Sequence, residues 1–135
     1  MGINEVIIPH FVLKGVVEHA QSHLPHEACG LLSGTNNKVS SFWRLENELQ
    51  SERRFFVKKK VMEKTLQKIK ELEESVIVAY HSHPTTAPIP SRYDIFSHPD
   101  YEIIMMIVSF KSEPKIKCYH IMKSTYEECP FLIET

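Results

Sequence analysis

The sequence contains no apolar run approaching the roughly 18 residues that a membrane-spanning helix requires, so no membrane span is expected within it. Its N-terminus, MGINEVIIPHFVLKG, lacks the basic start, the apolar stretch and the small-residue cleavage site of a secretory signal, so a cytoplasmic protein is expected. Net charge is nearly absent too: 16 Lys and Arg oppose 17 Asp and Glu, a formal -1 with a pI near 6.7. That leaves no broad electrostatic footprint for nucleic acid or a membrane surface, and any partner has to be recognised locally. Cysteine is scarce. Cys29, Cys118 and Cys129 are odd in number and widely spaced, which fits reduced thiols rather than a disulfide framework. None has the CxxC spacing of a structural zinc site.

What is present is an ordinary core composition: 42% hydrophobic and 24% charged over 135 residues, enough for one globular domain covering 1–135. Ile3 to Ile8 reads as a short strand. Behind Pro9, a residue suited to a helix start, Leu13, Val16, Val17, Ala20 and Leu24 recur at helical spacing. Glu27 to Ser33 leads into an apolar strand, Gly34-Thr-Asn-Asn37 supplies turn residues, and a second strand covers Val39 to Leu45. The polar stretch Glu46 to Arg54 reads as a loop, with Phe55 to Val57 either a short strand or a lead-in to the next helix. From Lys58 to Glu74 the positions Val61, Met62, Leu66, Ile69 and Leu72 form one stripe, and the lysines and glutamates form the solvated face. Val76 to Tyr80 is a buried strand ending at His81. The proline-rich stretch Pro84 to Pro90 must loop, a helical turn restarts at Ser91, and strands follow at Ile103 to Phe110, Ile116 to Met122 and Phe131 to Ile133. The expected class is α/β (α+β), a mixed sheet flanked by two main helices.

The chemistry concentrates in His81-Ser-His83-Pro-Thr-Thr-Ala-Pro-Ile-Pro-Ser91-Arg-Tyr-Asp94. Two histidines one residue apart on a strand project to one face, so both imidazoles can reach a single ion at about 2.0–2.1 Å. A carboxylate eleven residues beyond His83 can close the third side and leave a fourth position for water, the arrangement of catalytic zinc. Amide hydrolysis also needs a group that takes a proton from that water and passes it to the leaving nitrogen. Glu27 is the candidate, provided that its strand pairs near Val76 to Tyr80. Ser91 can donate its hydroxyl to the developing oxyanion.

The pattern Glu27…His81-Ser82-His83-Pro84…Ser91-x-x-Asp94, with "EACGLL" around the glutamate, resembles the JAMM/MPN+ zinc metallopeptidases over roughly Glu5 to Met122. The resemblance implies a JAMM/MPN-like (cytidine-deaminase-like) sheet, one catalytic zinc on His81, His83 and Asp94, Glu27 as general base and acid, and Ser91 as oxyanion stabiliser. It further implies a peptidase or isopeptidase acting on the C-terminal tail of a ubiquitin-like or sulfur-carrier protein. The alternative is a non-catalytic scaffold or protein-binding module on the same fold. A zinc deaminase is disfavoured, since the HxE and PCxxC pair it needs is absent.

Several residues have plainer readings. Ser91 to Asp94 is also a helix capping box, and an aspartate bound to a metal is expected to be less free to reach back to the cap. Cys29 reads as a buried structural thiol. His10, His19, His23, His26, His98 and His120 lack ligand spacing, and Phe42, Trp43, Phe55 and Phe56 read as core, with some able to line a groove.

Overall fold

The computed structural model describes residues 5–52, 54–98 and 100–135. The chain runs β1 (Val6–Pro9), α1 (His10–His23), β2 (Cys29–Thr35), β3 (Lys38–Leu45), α2 (Lys59–Glu71), β4 (Ser75–His83), α3 (Arg92–Ser97), β5 (Ile104–Ser109), β6 (Lys115–Ile121), β7 (Tyr126–Glu128) and β8 (Phe131–Glu134). Among the described residues these strands make one sheet, ordered β7-β6-β5-β4-β2-β3-β1-β8. β1 is parallel to both β3 and β8, and β4 is parallel to β5; the other neighbours are antiparallel. The two ends of this order are joined by Cys129 and Pro130 alone, a link that reaches about 11 Å. The sheet therefore curls until its ends meet.

β2, β4 and β5 lie in the middle and are buried along most of their length, because helices cover both faces. On one face α1 buries Val12, Leu13, Val16 and Ala20 against Ile8, Leu32, Val78 and Met106. On the other, Ile69 of α2 packs with Cys29, Leu31 and Leu45, while Val61 and Met62 are half covered. Leu66 and Leu72, expected in the same stripe, stay on the surface.

Most boundaries agree with the sequence reading, and the differences have local causes. Of the strand expected from Ile3, the part before Glu5 lies outside the described residues; the strand observed ends on Pro9, which is also the N-cap of α1. The hairpin turn is tighter than expected, since Thr35 pairs with Lys38 and leaves only Asn36 and Asn37, with Asn36 left-handed at φ 57. α2 stops short of Glu74 because Glu73 takes φ 60, which breaks the helical hydrogen-bond ladder. Phe55 to Val57 forms no strand and leads into α2. β7, three exposed residues with two glutamates, carries too little pattern to have been expected.

One polar pair sits in the α1-side core. His19 Nδ1 lies 2.7 Å from the Tyr80 hydroxyl, and the Tyr80 ring crosses β2 at Gly30, where a Cβ would come within 2.4 Å of it. Burial, followed by His23 and Arg44, lowers the His19 pKa to about 4. Between that value and the unfolded value near 6.5 the unfolded chain binds the extra proton, so stability falls as pH falls through this window. His19→Gln should remove about 2 kcal/mol of the stability lost between pH 7 and pH 5, read as the difference between the two proteins in urea unfolding. Parallel pH dependences in the two proteins would rule this account out.

Candidate metal centre

β4 does not end at His81, as the sequence reading had it, but continues through His83, because β5 pairs with it all the way: His81 faces Ile107 and His83 faces Ser109. The alternation of the strand then puts both imidazoles on one face. His81, His83 and Asp94 are 3%, 6% and 2% exposed, so three groups able to carry charge are held out of water together. Nε2 of His81 and Nε2 of His83 are 3.3 Å apart, and Asp94 Oδ2 lies 3.1 Å from the first and 3.0 Å from the second. A tetrahedral ion with arms of about 2.0–2.1 Å has ligand atoms about 3.3 Å apart, so the three fit one face of that tetrahedron.

The tautomer supports the same use. His83 Nδ1 is 2.8 Å from the Ala87 carbonyl, which can only accept, so a neutral His83 turns the lone pair of Nε2 toward Asp94. Lone pairs converging in a buried space need a proton or a cation between them. Burial works to raise the Asp94 pKa, but the contacts from His81 and His83 and the Ser91 amide outweigh it and hold the carboxyl well below its usual range. For His83 burial works to lower the pKa, and Asp94 with the Ala87 carbonyl outweighs it in the opposite direction. No other group of three His, Cys, Asp or Glu side chains among the described residues converges in this way.

The loop between His83 and Ser91 is pinned at three successive carbonyls. Ser109 Oγ donates to Thr86 O, His83 Nδ1 to Ala87 O, and the Tyr119 hydroxyl to Pro88 O. This delivers Ser91 to the start of α3, where a full capping box forms: the Asp94 amide donates to Ser91 Oγ at 3.0 Å and the Ser91 amide to Asp94 Oδ2 at 2.9 Å. One oxygen of Asp94, Oδ2, faces the Ser91 amide and both imidazoles. The Ser91 hydroxyl hydrogen is not used in the box.

Glu27 precedes β2, and the β2–β4 register decides where it lands. Cys29 pairs with His81, and Ala28 is tied to Ser82 through both its amide and its carbonyl. Two residues before Cys29, Glu27 is thus level with His83. It is 1% exposed, and its Oε1 is buried with no hydrogen-bond partner. Burial, then the negative charge of Asp94, pushes its pKa up to about 9. Burial raises the Cys29 thiol to about 12, with Glu27 adding to it, so this cysteine stays a protonated core thiol as expected.

Beside His81 a cavity of about 270 Å³ opens over Cys29, Ala79 and Met105, walled by Phe55, Met62 and Tyr93. Phe42 and Trp43 join the two cores, but Phe55 stacks on His81 at 5.2 Å and Phe56 is 56% exposed, so the aromatic pair expected mainly as core lines the site. Arg54 lies over the Tyr93 ring at 4.7 Å, bridging the segment before α2 to α3. Asn47, unremarked in the sequence, is buried and hydrogen-bonds to the Glu27 carbonyl. No spacing signals such a residue, because its partners are backbone groups and the one that matters here, the Glu27 carbonyl, is on another segment of the chain.

Comparison with known proteins gives one consistent result. The profile of prokaryotic homologs of the JAB domain matches residues 10–121. A desampylase of Pyrococcus furiosus is 31% identical over 110 residues, covering 82% of this chain and 78% of that protein. A CysO-cysteine peptidase of Mycobacterium tuberculosis is 26% identical over 141 residues, covering 93% and 88%. Among solved structures, a JAB1/MPN domain protein of Archaeoglobus fulgidus superposes with a TM-score of 0.63 at 23% identity over 96% of this chain and 97% of its own. With the profile spanning most of the chain and the fold the same, the chain belongs to the JAMM/MPN family, as one of the prokaryotic JAB-domain proteins.

Proposed function

We propose that this protein is a cytoplasmic zinc metallopeptidase that hydrolyses a peptide or isopeptide bond at the C-terminal tail of a ubiquitin-like or sulfur-carrier protein. The observation that carries this reading is the convergence of the His81, His83 and Asp94 donor atoms, level with a buried carboxyl, Glu27, whose Oε1 has no partner. Two relatives support it, one named a desampylase and one a CysO-cysteine peptidase. Cys29 and Cys118, buried thiols outside any disulfide, are in keeping with a reducing compartment.

In this reading His81, His83 and Asp94 hold the ion. A zinc ion held there supplies Lewis acidity and brings the pKa of a water toward about 7. The residues of the chain do the rest. Glu27 takes the proton of the attacking water and returns it to the leaving nitrogen, so that one water and one amide become a carboxylic acid and an amine. Burial favours the acid form of Glu27 that the second transfer needs, and a cation on His81, His83 and Asp94 would favour the carboxylate form that the first needs. Ser91 donates its hydroxyl hydrogen to the oxyanion on the attacked carbonyl.

The test is incubation of the purified protein with carrier proteins fused through their C-termini to a reporter peptide, with and without zinc chelation, scored by mass spectrometry. Release of the peptide after the last carrier residue, abolished by the chelator, is the expected result. A zinc-loaded protein that cleaves none of a panel of host carriers would favour the scaffold reading.

A further inference from the structure

We propose that Asn47 is a positioning residue that sets Glu27 in place relative to His81, a role that rests on the metallopeptidase reading above. Asn47 is 5% exposed and lies just after β3, in the connection to α2. Among the described residues its side chain makes four hydrogen bonds, all to backbone. Nδ2 donates to the Glu27 carbonyl at 2.9 Å and to the Arg54 carbonyl at 3.1 Å, while Oδ1 accepts from the Leu49 amide at 3.1 Å and the Phe56 amide at 3.0 Å. A primary amide has two donor hydrogens and two acceptor lone pairs, so its capacity is full and nothing is left for a ligand. The residue holds; it does not bind.

Two things are held. Since Glu27 Oε1 has no partner, the placement of the carboxyl is inherited from the backbone, where the Glu27 amide donates to Ser51 O at 2.6 Å and the Glu27 carbonyl accepts from Asn47. Phe55 lies between Arg54 and Phe56, both tethered to the same amide, and its ring stacks on His81. One side chain thus relates the acid–base group to the packing around a ligand histidine. An ordinary turn-forming asparagine needs only the bond to the amide two residues on, here Leu49. The other three bonds reach Glu27 and the segment that walls the site.

Asn47→Asp separates these functions, since it keeps the acceptors for Leu49 and Phe56 but loses both donors and sets an oxygen against the Glu27 and Arg54 carbonyls. With a carrier–reporter fusion as probe, kcat should fall by about 100-fold, as expected for a misplacement near 1 Å. KM and the zinc dissociation constant should stay within about threefold. Amide exchange at Glu27, whose carbonyl loses its tether, should accelerate by about tenfold or more, with the β2 and β4 amides unchanged. If Asn47→Asp does not fold, the same measurements on Asn47→Ser decide. An unchanged kcat, a loss confined to KM, a parallel loss of zinc, or two variants that both fail to fold would each overturn the proposal. If the unaltered protein cleaves no carrier fusion, the peptidase reading fails, and amide exchange alone then decides: acceleration at Glu27 with the β2 and β4 amides unchanged supports the positioning role, and any other pattern refutes it.

Discussion

Glu27→Gln should abolish turnover and, at the same time, make the metal-free protein more stable. The loss of activity should be about 100- to 10,000-fold, the usual contribution of a positioned acid–base group, with zinc binding retained because the three ligands are untouched. The gain in stability follows from burial. With its folded pKa raised to about 9 against 4.5 for the unfolded chain, Glu27 makes the folded state bind the extra proton between those values. Stability of the metal-free protein therefore falls as pH rises through that window. Glutamine has the same shape and no charge, and part of its gain is offset by an amide that finds no partner at Oε1. A net increase of about 1–3 kcal/mol at pH 8 is expected, disappearing and then reversing as pH falls toward 4.5, where only the cost of the unpartnered amide is left. Urea unfolding of both proteins at the two pH values checks it, and equal stabilities at pH 8 would mean that Glu27 is not held in a low-dielectric site.

The second large effect concerns the proposed ligands His81, His83 and Asp94. Zinc at 100 to 1,000 times its dissociation constant should stabilise the protein by about 2.7–4.1 kcal/mol, because the unfolded chain has no assembled site. His81→Ala should abolish that increment together with activity, and reduce bound zinc from one ion per chain to a trace by elemental analysis. Asp94→Asn should do the same and also weaken α3, whose capping box uses the same carboxyl. Binding should be sensitive to acid at higher pH than a free imidazole would give, since the His83 pKa is raised and a proton on Nε2 competes with the metal. Zinc retention by His81→Ala at one ion per chain would remove the metal centre from the account.

How far the site could be read in advance depends on how far apart its parts lie in the chain. His81 and His83 share a strand, and Ser91 and Asp94 share a helical turn, so alternation and capping rules place each pair without knowledge of the fold. Glu27 needed the β2–β4 register, which a strand pattern cannot supply by itself. Family resemblance supplied it. Asn47 was out of reach for a different reason: asparagine in a polar loop is ordinary, and only the folded connection shows that its amide is buried among backbone groups. The burial of His19 was out of reach in the same way. Helical spacing alone does not distinguish it from the polar positions of α1, and only Tyr80, from another strand, makes the buried position tenable. The hairpin, the two long helices and the buried strands were legible because burial imposes a period on the residues themselves.

The pairing of Val6 with Phe131 joins residues that lie near opposite ends of the described chain. β1 is made before the other described strands, but its outer neighbour is made well after β4, the strand that carries both His81 and His83. During translation β2, β4 and β5 can associate while β1 still presents an unpaired edge, an invitation to other nascent chains. Closing a loop of this length costs entropy before the contact repays it, which slows the last step of assembly. The half of the sheet that holds the chemistry can therefore mature before the half that seals the fold, and chaperone demand in the cell should track the wait for β8.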